Sequence, residues 1–231
     1  AGTESAGDVE ARAQLAVRDL VRAGGFERAN LLVVTTTGTG WVEPSSVGSF
    51  EVLTGGDSAT VSMQYSYLPS WLSFLVDQAR AREAGRLLFD AVYERWLALP
   101  SGDRPKLYVF GESLGSFGGE TAFSGEFDLR NRVSGALFTG PPNFNPLYRS
   151  FVDDRDPGSR EVEPVYREGR TIRFTNLPRE EIPPGGVPWE RTRVLYVQHP
   201  SDPLTWWRPH LVLNRPDWLE EERGFDVMDE T

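Results

Sequence analysis

The pattern of hydrophobic and polar positions predicts helices and strands that alternate along the chain. In 8–23, apolar residues recur on one face at helical spacing, which predicts a helix. A second helix is predicted over 73–99, where Leu88, Val92 and Trp96 lie four residues apart. Short runs rich in apolar and β-branched residues predict strands at 31–34, 59–67, 107–110, 133–138 and 193–198. Because a helix between two buried strands is the crossover that parallel pairing requires, we expect an α/β fold with a mainly parallel central sheet.

The stretch 141–190 differs from the rest of the chain in composition. Prolines, glycines and charged residues dominate it, and only 171–175 has the character of an extended segment. A long stretch without strong periodicity is rarely part of a core. We therefore expect an irregular lid insertion that covers the site.

Composition narrows the class of protein. A length of 231 residues suits one sizeable domain, predicted to span 1–231. The net charge of −10 repels phosphate backbones and argues against nucleic-acid binding. The absence of cysteine excludes thiolate nucleophiles and cysteine-ligated metals. No apolar run approaches the roughly 20 residues of a membrane-spanning helix.

The most informative motif follows the predicted strand 107–110. Gly111-Glu112-Ser113-Leu114-Gly115 has the Gly-x-Ser-x-Gly pattern, with a helix-compatible stretch after it. In this context the serine occupies a tight, strained turn that projects its hydroxyl above the sheet, as in the nucleophile elbow of an α/β-hydrolase. The alternative is a glycine-rich strand-to-helix turn without chemistry.

Two further segments suit the same chemistry. The loop after the predicted strand 31–34 contains Gly38 and Thr39, whose backbone N–H groups, with that of Leu114, are candidates for an oxyanion hole. The alternative for this loop is a plain strand-to-loop turn. Trp41 and Tyr67 are candidates for substrate contact, and aromatic packing is the alternative.

The candidate acid is Asp202, which follows the strand 193–198. The acid of a Ser-Asp-His triad comes after a late strand in this way and orients the histidine. An Asp-Pro turn signal is the alternative.

The candidate base is the weakest part of the triad. The chain has two histidines. His199 precedes Asp202, which is the wrong order, and His210 follows it by only eight residues. Each is more readily explained as structural, although His199 is retained as a candidate base. Since 203–231 contains no convincing closing strand, we expect the final strand and the base loop to be missing from this chain.

These segments together resemble a known family. The α/β-hydrolase-like catalytic domain of actinobacterial membrane proteins, the Abhydrolase_9 type, is similar over most of the chain. The resemblance lies in 35–42, 65–71, 107–120 and 198–207. It implies a three-layer α/β-hydrolase-like sandwich, a parent chain anchored in the membrane, and an extracytoplasmic, envelope-associated location. It also implies that a further strand and a Gly-His-Gly-His-like segment follow, so that a separate C-terminal fragment could supply the histidine.

The expected function is that of a serine esterase. Ser113 would form an acyl-serine intermediate with a small-molecule or lipid ester of the cell envelope, without a cofactor or metal. An acyltransferase using the same intermediate is one alternative. A non-catalytic binding domain that retains the fold is the other, because fold alone does not guarantee activity.

Overall fold

The computed structural model describes residues 1–5, 7–66, 78–176, 187–199, 202–206, 209–216 and 219. In these residues six strands form one sheet, in the order β2-β1-β3-β4-β6-β5, and every pairing is parallel. The strands are β1 (Asn30–Thr35), β2 (Ser58–Met63), β3 (Lys106–Glu112), β4 (Gly135–Thr139), β5 (Ile172–Thr175) and β6 (Arg193–Val197). The predicted α/β fold with a parallel sheet is confirmed.

Helices connect the strands. They are α1 (Val9–Arg22), α2 (Pro44–Leu53), α3 (Gln78–Leu97), α4 (Leu114–Glu120), α5 (Glu126–Arg132), α6 (Pro146–Asp153) and α7 (Pro203–Trp206). Among the described residues, none of the helices combines the length and the apolar character needed to cross a bilayer.

The two faces of the sheet are packed by different helices. Alternate residues of β1 show this, since Leu31 and Val33 belong to the main core with α1, α3 and α4, whereas Leu32 and Val34 belong to a smaller cluster. That smaller cluster includes Phe50 of α2. Because successive side chains of a strand point to opposite faces, the two clusters lie on opposite faces of the sheet. The fold therefore has three layers: helices, sheet and helices.

The expectation that 141–190 lies outside the core is wrong at two elements. Helix α6 buries Tyr148 and Phe151, and β5 is the edge strand of the sheet with Ile172 and Phe174 buried. Helix α6 is too short for its periodicity to stand out among the surrounding prolines, glycines and charges. The extended segment expected at 171–175 is β5, but its place in the sheet has no signal in the sequence. A covering role for the remainder stays a prediction, and 177–186 lies outside the described residues.

Helices α3 and α4 touch through their backbones. A Cβ atom at Gly85 would lie 2.2 Å from the carbonyl oxygen of Gly118, and one at Gly118 would lie 2.6 Å from that of Ala81. No side chain fits between the helices at this crossing. Helix α4, which begins directly after Ser113, is therefore held close to α3.

Replacement of Gly85 by alanine should destabilise the fold. The added methyl group meets backbone that has no room to move, and overpacking of this kind costs about 1–3 kcal/mol or more. Gly48→Ala in α2 is the matched control, because in the described part of the chain no atom other than those of its chain neighbours and of its own helix backbone lies within 4 Å of its Cβ position. That substitution should leave stability unchanged or raise it by up to about 1 kcal/mol. Urea unfolding measures both, and equal effects would contradict the close crossing.

Candidate active site

Ser113 occupies a strained turn between β3 and α4. Its backbone has φ 51° and ψ −121°, a region that non-glycine residues seldom adopt. The Ser113 N–H donates to the carbonyl oxygen of Thr139 at 2.8 Å, and the Ser113 carbonyl accepts from Ser116 N at 2.9 Å. Hydrogen bonds from the neighbouring strand and from the first turn of α4 thus hold the turn in place.

Neither glycine of the motif has room for a side chain. A Cβ at Gly115 would lie 2.3 Å from the carbonyl oxygen of Thr35, at the end of β1. A Cβ at Gly111 would lie 2.5 Å from the carbonyl oxygen of Gly115. The turn therefore rests directly on the end of β1, which brings the loop after β1 to the same edge of the sheet.

The oxyanion candidates come from two places. Leu114 is the first residue of α4, and a helix N-terminus leaves its first N–H groups without an intrahelical acceptor. In the loop after β1, Gly40 N donates to Thr37 O at 3.0 Å, and Gly38 O accepts from Ser66 N at 3.1 Å. These bonds anchor the loop that contains Gly38 and Thr39. Their assignment to an oxyanion hole stays a prediction.

The predicted substrate contacts are only partly described. Trp41 is 57% exposed in the loop after β1, so its ring is available for contact. Tyr67 lies outside the described residues.

Asp202 approaches the edge of the sheet beside β4. The Asp202 Oδ2 atom lies 3.7 Å from the position that a Cβ of Gly140 would take, and Gly140 has φ 54°. Gly140 directly follows Thr139, which accepts the Ser113 N–H. The turn with Ser113 and the loop with Asp202 thus flank the same two residues at the end of β4.

The Asp202 carboxylate takes part in a local structural contact. Its Oδ1 atom accepts from Leu204 N at 2.9 Å and so caps α7. The local turn that an Asp-Pro pair predicts is therefore present. Capping therefore occupies Oδ1, whereas Oδ2 is the atom on the Gly140 side.

His199 shapes the loop that contains Asp202. It follows β6 with its residue surface exposed, and its carbonyl oxygen accepts from Asp202 N and from Trp206 Nε1, each at 3.1 Å. His210 lies in a short 3-10 turn, Pro209–Val212, and its side chain is outside the described part of the chain. His199 therefore lies just after the carboxyl end of β6, and its carbonyl oxygen anchors the loop that contains Asp202.

A partly buried carboxyl precedes the serine. Burial raises the pKa of Glu112 above its usual range, and the charge of Glu43 raises it further. Glu43 itself accepts from Ser45 N at 3.2 Å and caps α2. Sequence reasoning gave Glu112 no role.

Sequence reasoning also missed Glu120, at the end of α4. This carboxyl is buried, with 1% of the residue exposed, and accepts from Tyr148 N at 3.1 Å and from Asn145 Nδ2 at 3.2 Å. Burial raises the pKa of Glu120 to about 7, although these hydrogen bonds act in the opposite direction. A signal was present, since Glu120 is the only charged residue in a helix of small and apolar residues.

The parallel sheet and the strained serine turn define the α/β-hydrolase class of fold. The chain belongs to Abhydrolase_9, an alpha/beta-hydrolase family whose family model matches residues 1–231. The resemblance to this family is thereby confirmed. No curated protein matches the sequence significantly.

Two solved structures are similar to the chain. One is an iodinated complex of acetyl xylan esterase, with a TM-score of 0.45, and the other is acetylxylan esterase, with a TM-score of 0.43. Each is 16% identical in sequence, and each match covers 77% of this chain and 84% of the other. Likeness at this level carries no argument about substrate.

The pH dependence of stability should report the buried Glu120. Its pKa is raised from 4.5 to about 7 in the folded state, so between these values the folded chain retains a proton that the unfolded chain releases. Stability should therefore fall as pH rises through this window, by up to about 3 kcal/mol from this group. Glu120→Gln should flatten the slope.

Urea unfolding at pH 5 and pH 8 measures this effect as the difference between variant and wild type. Glu51→Gln, at an exposed position in α2, is the matched control and should keep the wild-type slope. A Glu120→Gln protein with the slope of the wild type would contradict the assignment.

Proposed function

We propose that this chain hydrolyses carboxylic esters through an acyl-serine intermediate. The observation that carries the proposal is Ser113, a non-glycine residue with positive φ at a turn between a parallel strand and a helix. Such a turn exposes the serine hydroxyl at the carboxyl edge of the sheet. Membership of an alpha/beta-hydrolase family supports the same chemistry.

In the proposed mechanism Ser113 Oγ attacks the carbonyl carbon of the ester. The N–H groups of Leu114 and of the Gly38–Thr39 segment stabilise the oxyanion. The base takes the Ser113 hydroxyl proton and passes it to the leaving alcohol, and water then hydrolyses the acyl-serine, which releases the carboxylic acid and regenerates the serine. No step needs a metal or an organic cofactor.

The proposal assigns the acid to Asp202 and the base to His199. An aspartate serves this role by accepting the imidazole N–H and stabilising the imidazolium. Asp202 Oδ2 lies on the Gly140 side, while Oδ1 caps α7. His199 is exposed at the same edge.

The proposed substrates are uncharged small-molecule or lipid esters. The net charge of −10 disfavours anionic head groups by repulsion. Trp41 supplies an exposed aromatic surface in the loop after β1. We also propose that these acyl substrates belong to the cell envelope, as the family resemblance implies.

A fluorophosphonate probe tests the nucleophile. The probe should label the wild type covalently, and Ser113→Ala should abolish labelling and lower ester hydrolysis by at least about 10³-fold. Ser124→Ala removes an exposed serine from the loop after α4 and should label as the wild type does. A wild-type chain that is not labelled, although folded, would overturn the hydrolase proposal in favour of a non-catalytic domain.

Conservative variants test the acid and the base separately. Asp202→Asn keeps an oxygen for the α7 cap but removes the charge, so it should lower hydrolysis by about 10²–10⁴-fold while the unfolding midpoint changes little. His199→Gln should abolish labelling. Labelling that survives in His199→Gln would remove this histidine from the mechanism and leave the role of Ser113 standing.

A further inference from the structure

A buried chain of hydrogen bonds connects the Ser113 turn to the loop that contains Asp202. We propose that Asn145, oriented by Glu120, is a positioning residue that keeps these two segments in register. The proposal rests on the proposed function, since it concerns how the reacting groups are placed. Neither residue touches substrate in this proposal.

The link begins at the first turn of α4. The Ser116 hydroxyl donates its single hydrogen to the Ser113 carbonyl oxygen at 2.6 Å. Its oxygen can then only accept from Asn145, and Asn145 Nδ2 donates to it at 3.0 Å. This contact fixes the orientation of the Asn145 amide. Both Ser116 and Asn145 are completely buried.

Glu120 holds the same amide from the other side. Asn145 Nδ2 also donates to Glu120 Oε1 at 3.2 Å, while Glu120 Oε2 accepts from Tyr148 N at 3.1 Å. The carboxyl therefore ties Asn145 both to the end of α4 and to the first turn of α6. A buried hydrogen bond to a charged acceptor is stronger than one between neutral groups.

The other end of the loop 140–145 reaches the helix that Asp202 caps. Asn143 N donates to Leu204 O at 2.9 Å, and Asn143 Nδ2 donates to Thr205 O at 2.8 Å. Asn145 N closes the loop by donating to Pro142 O at 3.0 Å. A displacement of Asn145 is thus transmitted through the loop to α7, and with it to the Asp202 carboxylate.

Protonation of Glu120 weakens this link. The groups that face the carboxyl are the Asn145 amide, the backbone N–H groups of Leu147 and Tyr148, and the Tyr196 side chain. The ionised carboxyl accepts from the N–H donors through both oxygens, whereas the protonated carboxyl is neutral and a weaker acceptor. Because burial raises the pKa of Glu120 to about 7, the change falls near neutral pH.

The pH profile of fluorophosphonate labelling tests the link. At pH 8 we expect Glu120→Gln and Asn145→Ala each to lower the second-order labelling rate by about 10- to 100-fold. The double variant should lose no more than either single variant, because both act on one link. Both Glu120→Gln and Asn145→Ala should also lose one ionisation on the acid side of the profile, because the carboxyl acts through the Asn145 amide.

Glu161→Gln is the matched control. Glu161 is a second buried glutamate, and its carboxylate pairs with Arg149 of α6 at 3.0 Å. Because that ion pair is separate from the hydrogen bonds that join Ser116, Asn145 and Asn143, the variant should keep the wild-type rate and profile. If Glu120→Gln does not fold, Ser116→Ala replaces it, since it cuts the link and leaves the Glu120 carboxyl in place.

Hydrogen exchange supplies a readout that does not require labelling. Asn145→Ala should raise amide exchange in both 113–117 and 202–206, and Glu161→Gln in neither. Labelling losses that add in the double variant, or exchange that rises in one segment alone, would overturn the link while Ser113 remains the nucleophile. If the wild type is not labelled at any pH, the hydrolase proposal fails, and the exchange result alone decides the link.

Discussion

The architecture depends on backbone surfaces that meet without intervening side chains. Around Ser113 the chain passes from β3 into α4 so tightly that Gly115 rests on the carbonyl oxygen of Thr35. Helix α4 in turn lies against α3 through Gly85 and Gly118. Such contacts leave the turn no alternative position, because atoms of the main chain do not yield as the end of a flexible side chain does. A strained φ at Ser113 persists for that reason.

A polar contact complements this steric one. Burial of the Glu120 carboxyl is costly, and the hydrogen bonds from Asn145 and Tyr148 only partly offset the cost. The group nevertheless joins the serine helix to α6 and to the loop 140–145, which the sheet alone does not connect. A buried acceptor that organises several donors can specify an arrangement as well as stabilise it.

The strands and the serine turn could be predicted because their signals are local. A run of apolar residues that enters Gly-x-Ser-x-Gly indicates a buried strand and its turn within about ten residues. Helix α6 escaped prediction because its eight residues are too few for a period to be recognised, whereas the extended character of 171–175 was visible but its place in the sheet was not. The two elements are buried against each other and against β6, since the Phe174 ring lies 6.0 Å from that of Tyr148 and 5.2 Å from that of Tyr196.

By itself, the sequence determined the class of fold, the family and the identity of the candidate nucleophile and acid, since each depends on residue type and order along the chain. Only the tertiary structure decided that the Ser113 turn and the Asp202 loop flank Gly140, and that Glu120 lies buried against Asn145. These residues are far apart in sequence. Their juxtaposition follows from the order of the parallel strands and from the packing of short helices. Neither of these produces a hydrophobic pattern that can be recognised in the sequence.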